Sequence, residues 1–493
     1  MCIYSVVVFR TAFPVGVLLV LGWLGNSIRA DDLQPQRMQD PIVLHDYGIN
    51  QLFAPDAQRS QDLTEFGPQS NFDLKRFWID NWSKSSQVIA WDVTTHDAGD
   101  YCVTFLMNAD AGREITVKGT GTDLVFTTPT AGWQRSEAPT RLRLPAGRST
   151  LTLQITDGAN VEFKAVELVN VKDRENLARR IQAFRGDTSW MKTAGYGIMV
   201  QLGGWCYPPH GDKKPWPGFA EDFNAADFVQ KVDEMGGKYL VWSATWCDYL
   251  YPAPIQSIAQ ILPQRVSKRD LIGDLIAECQ KRNIKFMLYY HIGHDIPEVL
   301  EAKGLKDPCW SDYQARQNWL RREEQIFAEV GKRYGSGLAG VFIDDGCCWY
   351  PADFEQLGAA LKAGNPKRVI AYNPWVAASM TPFQDFYCGE NFDGGQTPYP
   401  LKDGVVSSGP QAGLQLFGTF IFDGPDWGIK SPNQVIDDPA SHGWSVNKIV
   451  ELSRRLQAEH YSVAINLLAY EDGSLGDASY TMLKNAAQIL NSK

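Results

Sequence analysis

The sequence predicts an α/β protein in which a (β/α)8 TIM-like barrel follows an all-β sandwich. Two observations carry this. Between residues 40 and 172 apolar residues alternate in short runs broken by Gly, Asp and Pro, and from about Asp173 strand-like and helix-like stretches take turns to the end of the chain. The 493 residues allow two or three domains at roughly 150 residues each.

Residues 1–30 read as a cleavable signal peptide. Arg10 supplies the positive charge, Phe13 to Leu24 form an apolar core, and Ser27-Ile28-Arg29-Ala30 offers a small-residue cleavage site before Asp31. A membrane span needs about 20 apolar residues, more than this run provides. No cysteine follows it in the position that lipid attachment requires. A secreted or periplasmic protein is expected.

In the sandwich region, 40–172, the alternation recurs in Tyr101-Val103-Phe105-Met107, Ile115-Val117, Leu124-Phe126, Leu142-Leu144, Leu151-Leu153-Ile155 and Val161-Phe163-Ala165. Short strands so spaced indicate packed antiparallel sheets, here carbohydrate-binding-module-like. Trp78, Trp82, Trp91 and Trp133 have two readings, a sugar-stacking platform or core and interface, and the second is favoured.

The catalytic domain is expected over 173–493. Its strands are predicted at Tyr196–Gln201, Lys238–Ser243, Ile284–Tyr290, Leu338–Asp344, Arg368–Tyr372, Asp385–Glu390, Leu416–Ile421 and Ser462–Leu467. Between them, Phe228, Val232 and Met235 fall on one helical face ended by Gly236-Gly237. Ser267 caps a helix with Asp270 in its first turn and Leu271, Leu275, Ile276 and Cys279 on one face. The alternative is a doubly wound open sheet. It lacks support, because no Gly-rich phosphate loop follows the first strand.

A formal charge of −10, made more negative once Arg10 and Arg29 leave with the signal, argues against nucleic acid and anionic membranes as partners. The cysteines left after Cys2 is removed are scattered, and mostly buried thiols are expected, with one or two bridges as the other reading. No CxxC spacing is present and, His291 and His294 apart, the histidines are dispersed. No metal or other cofactor is predicted.

Chemistry in such folds sits at the carboxyl ends of the strands. The fourth strand runs Gly340-Val341-Phe342-Ile343-Asp344-Asp345-Gly346, and alternation places Phe342 and Asp344 on one face and Ile343 and Asp345 on the other. Ile343 suits the layer between sheet and helices, so Asp344 faces the barrel mouth. The sixth strand, Asp385-Phe386-Tyr387-Cys388-Gly389-Glu390, ends likewise in a carboxylate. Each acid alone has a bland reading as a helix cap or loop anchor. Together, among the strand-end aromatics Trp205, Trp246, Trp349, Trp375 and Trp427, they point to glycoside hydrolysis, which needs one carboxylate to attack and one acid to protonate the leaving oxygen.

Over most of residues 190 to 490 the chain resembles glycoside hydrolase family 29, the retaining α-L-fucosidases. Tyr196-Gly197-Ile198-Met199-Val200-Gln201-Leu202-Gly203 is similar to the family's opening strand, and Gly237-Lys238-Tyr239-Leu240-Val241 to its second. Arg269-Asp270-Leu271-Ile272 with Lys285-Phe286-Met287-Leu288-Tyr289-Tyr290 resembles the third helix and strand. Phe342-Ile343-Asp344 resembles the nucleophile segment, Asp385-Phe386 with Glu390 the acid/base segment, and Trp427-Gly428 and Ser462-Val463-Ala464-Ile465-Asn466-Leu467-Leu468 with Asp472-Gly473 the last strands. The resemblance implies a two-carboxylate double displacement on an oligosaccharide or polysaccharide, with Asp344 as nucleophile and Glu390 as general acid/base. Asp345, in Asp345-Gly346, is the other candidate for the nucleophile.

The chain departs from the family where its members carry sugar-binding imidazoles: Gln201 stands for one His, and Trp246-Cys247 for a His-His pair. The substrate shell expected here is Gln201, Trp246, Tyr290, His291, Asp345, Trp375 and Trp427. His291 either compensates for the missing pair or is a structural histidine. The substrate is then an α-L-fucoside or a related glycan. The alternatives are another sugar, such as an α-galactoside or a modified fucan, and a carbohydrate-binding protein of weakened turnover.

Overall fold

The computed structural model describes residues 33–34, 36, 40–66, 77–119, 123–291, 297–304, 313–374 and 376–492. The proposed signal segment and Trp375 lie outside them.

Two seven-stranded, mainly antiparallel sheets stand at the N-terminal side, one built around Ile89–Thr95 and Gly147–Ile155, the other around Gly99–Ala109 and Val161–Asn170. Alternation decides what each face meets. In Gly99–Ala109 the side chains of Tyr101, Val103, Phe105 and Met107 join the core between the two sheets, whereas Leu106 turns the other way and packs with the C-terminal half. The second sheet therefore forms a middle layer. Trp82 and Trp91 are buried in the core between the sheets. Trp78 is buried against the C-terminal half, with Trp133 edge-on to it at 4.9 Å. The core-and-interface reading of these indoles holds, and they form no exposed stacking platform.

The contact between the two halves is apolar but carries buried charge. Arg316, on helix Tyr313–Tyr334, donates to Asp56 of the sandwich at 2.7 Å with both side chains no more than 2% exposed, and the Tyr350 hydroxyl donates to Glu167 at 3.2 Å.

Eight parallel strands follow: Tyr196–Val200, Tyr239–Thr245, Lys285–Tyr290, Leu338–Ile343, Val369–Tyr372, Phe386–Glu390, Gln415–Ile421 and Ser462–Asn466. Each lies within two residues of its predicted span. The hydrogen-bonded order is fifth, fourth, third, second, first, eighth, seventh, sixth. The sheet curls around one cluster of side chains drawn from all eight strands, Met199, Val241, Met287, Phe342, Ala371, Cys388, Phe417 and Ala464 among them.

The closed (β/α)8 barrel expected from the sequence is not formed: the sheet stays open, and it departs from that plan in two respects. No ladder joins the fifth and sixth strands. Asp385 spans that seam instead: its N–H donates to the Ile370 carbonyl and its carboxylate accepts the Ile370 N–H, each at 2.8 Å. Once a side chain has satisfied that N–H, no donor remains there for strand pairing. In addition, among the described residues no helix follows the fifth or sixth strand. Pro374 and Pro382 break the first of these connections, and Gly394, Gly395, Pro398, Pro400 and Pro410 the second, where a short hairpin, Leu401–Lys402 with Val405–Val406, stands in for the helix.

Helix Leu271–Lys281 is capped by Asp270, whose carboxylate accepts the Gly273 N–H at 2.9 Å, and not by Ser267, which donates to the Arg269 carbonyl. The earlier helix, Ala225–Glu234, ends as predicted at Gly236, where φ is 79°.

Removing Asp56 strands a buried guanidinium. Asp56→Ala is expected to destabilise the protein by about 3–5 kcal/mol, measured by denaturant unfolding. Asp56→Leu combined with Arg316→Met, which removes both charges, should cost markedly less.

Candidate active site

Side chains alternate along a strand, so the inward layer can be counted upward. Two residues beyond each of the eight inward apolar residues named above stand Gln201, Ser243, Tyr289, Asp344, Asn373, Glu390, Thr419 and Asn466. Every strand thus passes from an apolar to a polar inward residue at its carboxyl end. The polar layer floors a cleft lined by Met199, Gln201, Trp246, Tyr289, Phe342, Asp344, Asn373, Glu390, Thr419 and Trp427.

The two carboxylates singled out in the sequence meet there. Asp344 follows Phe342 on the inward face, while Ile343 packs outward in the core shared with the helices. Oδ1 of Asp344 accepts the Asp345 N–H at 2.9 Å and an Asn373 Nδ2–H at 2.8 Å, and Oδ2 accepts the Tyr289 hydroxyl. The same Asn373 amide donates to Glu390 Oε2 at 3.2 Å. Burial pushes the Tyr289 phenol well above its ordinary value, and the Asp344 charge adds to it, so the phenol keeps its proton.

Glu390 ends its strand at the rim, with part of its side chain open to solvent. Its carboxyl is pushed up to about 7, first by loss of hydration and then by the charge of Asp344, with Asp345 adding a smaller push and the Asn373 hydrogen bond opposing them. The Glu390 carboxyl is therefore disposed to hold a proton near neutrality, while Asp344 accepts hydrogen bonds from three donors.

The other expected residues divide. Gln201, Trp246 and Trp427 line the cleft. Trp246 is held from behind by the edge of Trp205 at 6.2 Å and by Lys430, whose Nζ lies 4.7 Å from the ring centroid. Close packing at Trp427-Gly428 requires the glycine, since a Cβ there would stand 2.8 Å from both the Gln201 carbonyl oxygen and the Trp246 ring. Tyr290 does not take part. It faces outward, hydrogen-bonded to Tyr249 at 2.5 Å and Glu323 at 2.7 Å, because alternation gives the inward position to Tyr289. His291 and Asp345 are buried against each other, Nε2 to Oδ2 at 2.9 Å, and neither lines the cleft. The left-handed backbone at Asp345, φ 51°, turns its side chain to His291 and its N–H to Asp344. Trp349 is buried in the outer core against Trp319 and Phe327.

Sequence reasoning missed Met199, Tyr289, Phe342, Asn373 and Thr419 as lining residues. The period-two count that located Asp344, applied to every strand, would have found them.

Residues 190–357 match the family model described as Alpha-L-fucosidase. That stretch holds the first four strands and Asp344 and ends before Glu390. No match is found among curated proteins. Solved structures to which the chain is similar include the α-L-fucosidase AlfC from Lactobacillus casei with its α-L-fucose product, at 16% identity and TM-score 0.42, covering 61% of this chain and 97% of that one. A bacterial fucosidase with an iminocyclitol inhibitor matches at 15% and 0.41, over 62% and 75% of the two chains, and an endo-fucoidan hydrolase of glycoside hydrolase family 107 at 12% and 0.44, over 62% and 93%.

The opposing effects on Glu390 can be separated by titration. Asn373→Ala removes a hydrogen bond that favours the anion and should move the Glu390 titration above about 7, whereas Asp344→Asn removes a like charge and should move it below. Carboxyl-region difference infrared spectroscopy with labelled glutamate reads both shifts. Equal values in the two variants would show that Asn373 and Asp344 do not set it.

Proposed function

We propose that the protein is an exported retaining glycoside hydrolase acting on α-L-fucosides or closely related glycans, with the eight-stranded sheet carrying the catalytic domain, 173–493, behind the N-terminal sandwich, 40–172. The observation that carries this is the Asn373 bridge. One nitrogen within hydrogen-bonding distance of both carboxylates keeps Asp344 Oδ1 and Glu390 Oε2 no more than about 6 Å apart, below the roughly 6.5–9.5 Å that an inverting enzyme needs for its intervening water and near the retaining value of about 5–5.5 Å.

The chemistry then runs in two displacements. An Asp344 oxygen attacks the anomeric carbon as the glycosidic C–O bond breaks, and the proton on Glu390 passes to the departing oxygen. Glu390, now an anion, takes a proton from water, which attacks the glycosyl ester, releases Asp344 and leaves Glu390 protonated again. The three donors around Asp344 hold it in line, while Trp246 and Trp427 offer faces to the apolar side of a pyranose ring. Asp345 acts through its backbone N–H, which favours Asp344 as the nucleophile.

Asp344→Ala should abolish turnover of an aryl α-L-fucoside, and added azide should restore part of it by replacing the missing nucleophile. Loss of activity in Asp345→Ala with azide rescue there, and none in Asp344→Ala, would reverse the assignment. The wild-type kcat/KM should fall as pH rises through about 7, where Glu390 gives up its proton. Glu390→Gln should lose that alkaline limb and retain most residual activity on aryl glycosides whose leaving group needs no protonation.

A further inference from the structure

The two oxygens of Asp344 are not equivalent. Oδ1 accepts two N–H groups, from Asp345 at 2.9 Å and from Asn373 at 2.8 Å, one for each of its lone pairs. Oδ2 accepts a single donor, the Tyr289 hydroxyl. Asp344 is half-buried and lines the cleft, and by this count Oδ2 is the oxygen with a lone pair left for an incoming carbon.

Strand register explains the contact. It pairs Tyr289 with Phe342, so the phenol, whose ring packs edge-on against Phe342 at 5.5 Å, reaches one inward step further along the neighbouring strand and meets Asp344. Tyr289 is only 3% exposed. Burial and the Asp344 charge hold its proton in place, so it acts by giving a hydrogen bond and does not pass the proton on.

That bond changes in strength over the two displacements. In the first, a lone pair of Oδ2 forms the bond to the anomeric carbon while the glycosidic bond breaks and its oxygen takes the Glu390 proton. Oδ1 is then the ester carbonyl and keeps its two N–H donors. Oδ2 is then the uncharged alkoxy oxygen, a weak acceptor, and the buried phenol is left with a poor partner. In the second, Glu390 takes a proton from water, the water oxygen bonds to the anomeric carbon, and the electron pair of the breaking bond returns to Oδ2. The charge that reappears there is met by a hydroxyl already in position.

We infer that Oδ2 of Asp344 is the attacking oxygen and that Tyr289 is a further catalytic residue, which speeds the second displacement by hydrogen bonding the carboxylate as it departs. This deepens the hydrolase reading and rests on it for the reaction.

Trapping separates the two steps. The full chain is treated with 2-deoxy-2-fluoro-α-L-fucosyl fluoride to form the glycosyl ester, and recovery of activity after the reagent is removed reads the second displacement alone. Tyr289→Phe, which keeps the ring packing, should recover roughly tenfold more slowly than wild type. On an aryl α-L-fucoside its kcat and KM should fall together. With 3-fluorotyrosine incorporated in place of Tyr289, a more acidic phenol and a stronger donor, recovery should be faster than wild type. A ring that only fills space would not move recovery in opposite directions. If the ester forms on Asp344, as read by peptide mass, but Tyr289→Phe recovers as fast as wild type, or 3-fluorotyrosine leaves recovery unchanged, the inference is overturned and the hydrolase reading stands. Failure of Tyr289→Phe alone to form the ester would place Tyr289 in the first step and also overturn the inference. Absence of any ester in the wild type would overturn the retaining reading, and the inference with it.

Discussion

Two carboxylates that share one amide donor cannot both be charged without cost, and this constraint organises the C-terminal half of the molecule. Like charges a few ångströms apart drive one of the pair to keep its proton, and the surroundings decide which one. Asp344 has Tyr289, Asn373 and the Asp345 N–H around it. Glu390 has only the longer bond from Asn373, and loss of hydration together with the Asp344 charge pushes its carboxyl up to about 7. The asymmetry that separates nucleophile from acid in the proposed mechanism is thus one of hydrogen-bond number and solvation.

Holding that geometry requires support from beyond the cleft. Glu390 can face Asn373 only if the sixth strand is fixed against the fifth, where no ladder joins them. Asp385 fixes it: its carboxylate takes the Ile370 and Gly186 N–H groups and is paired with the buried Lys362 at 2.8 Å. On the other flank, the His291–Asp345 pair is anchored to the second strand through Thr245, whose hydroxyl donates to the His291 carbonyl at 2.7 Å. It holds the left-handed turn that aims the Asp345 N–H at Asp344. Charged groups that looked like substrate contacts in the sequence thus support the groups that face the cleft.

The family's imidazoles can each donate or accept, depending on tautomer. Here the Gln201 amide, whose oxygen accepts the Ser243 hydroxyl, and the indoles of Trp246 and Trp427 line that wall. In the proposed mechanism the carboxylates bear on which bond is broken and the opposite wall on which sugar is held. The N-terminal sheets enter this site only indirectly, through Arg316–Asp56 and Tyr350–Glu167, and their large indoles are occupied with packing.

The sequence by itself determined the strands, their order and the face each side chain takes. These follow from alternation and from Gly and Pro placement, which act over a few residues. That is why Phe342 and Asp344 were legible as inward and Ile343 as outward, and why all eight strand spans could be placed. Tyr290 was misassigned by one position on the same strand, an error that the same alternation corrects. Only the tertiary structure decided that Asn373 bridges two acids from strands on either side of it, that Asp385 replaces a ladder, that His291 belongs to Asp345, and that Ser243 donates to the Gln201 amide oxygen. Each of these is a contact between different strands, and its geometry depends on how the sheet curls, which no local pattern records.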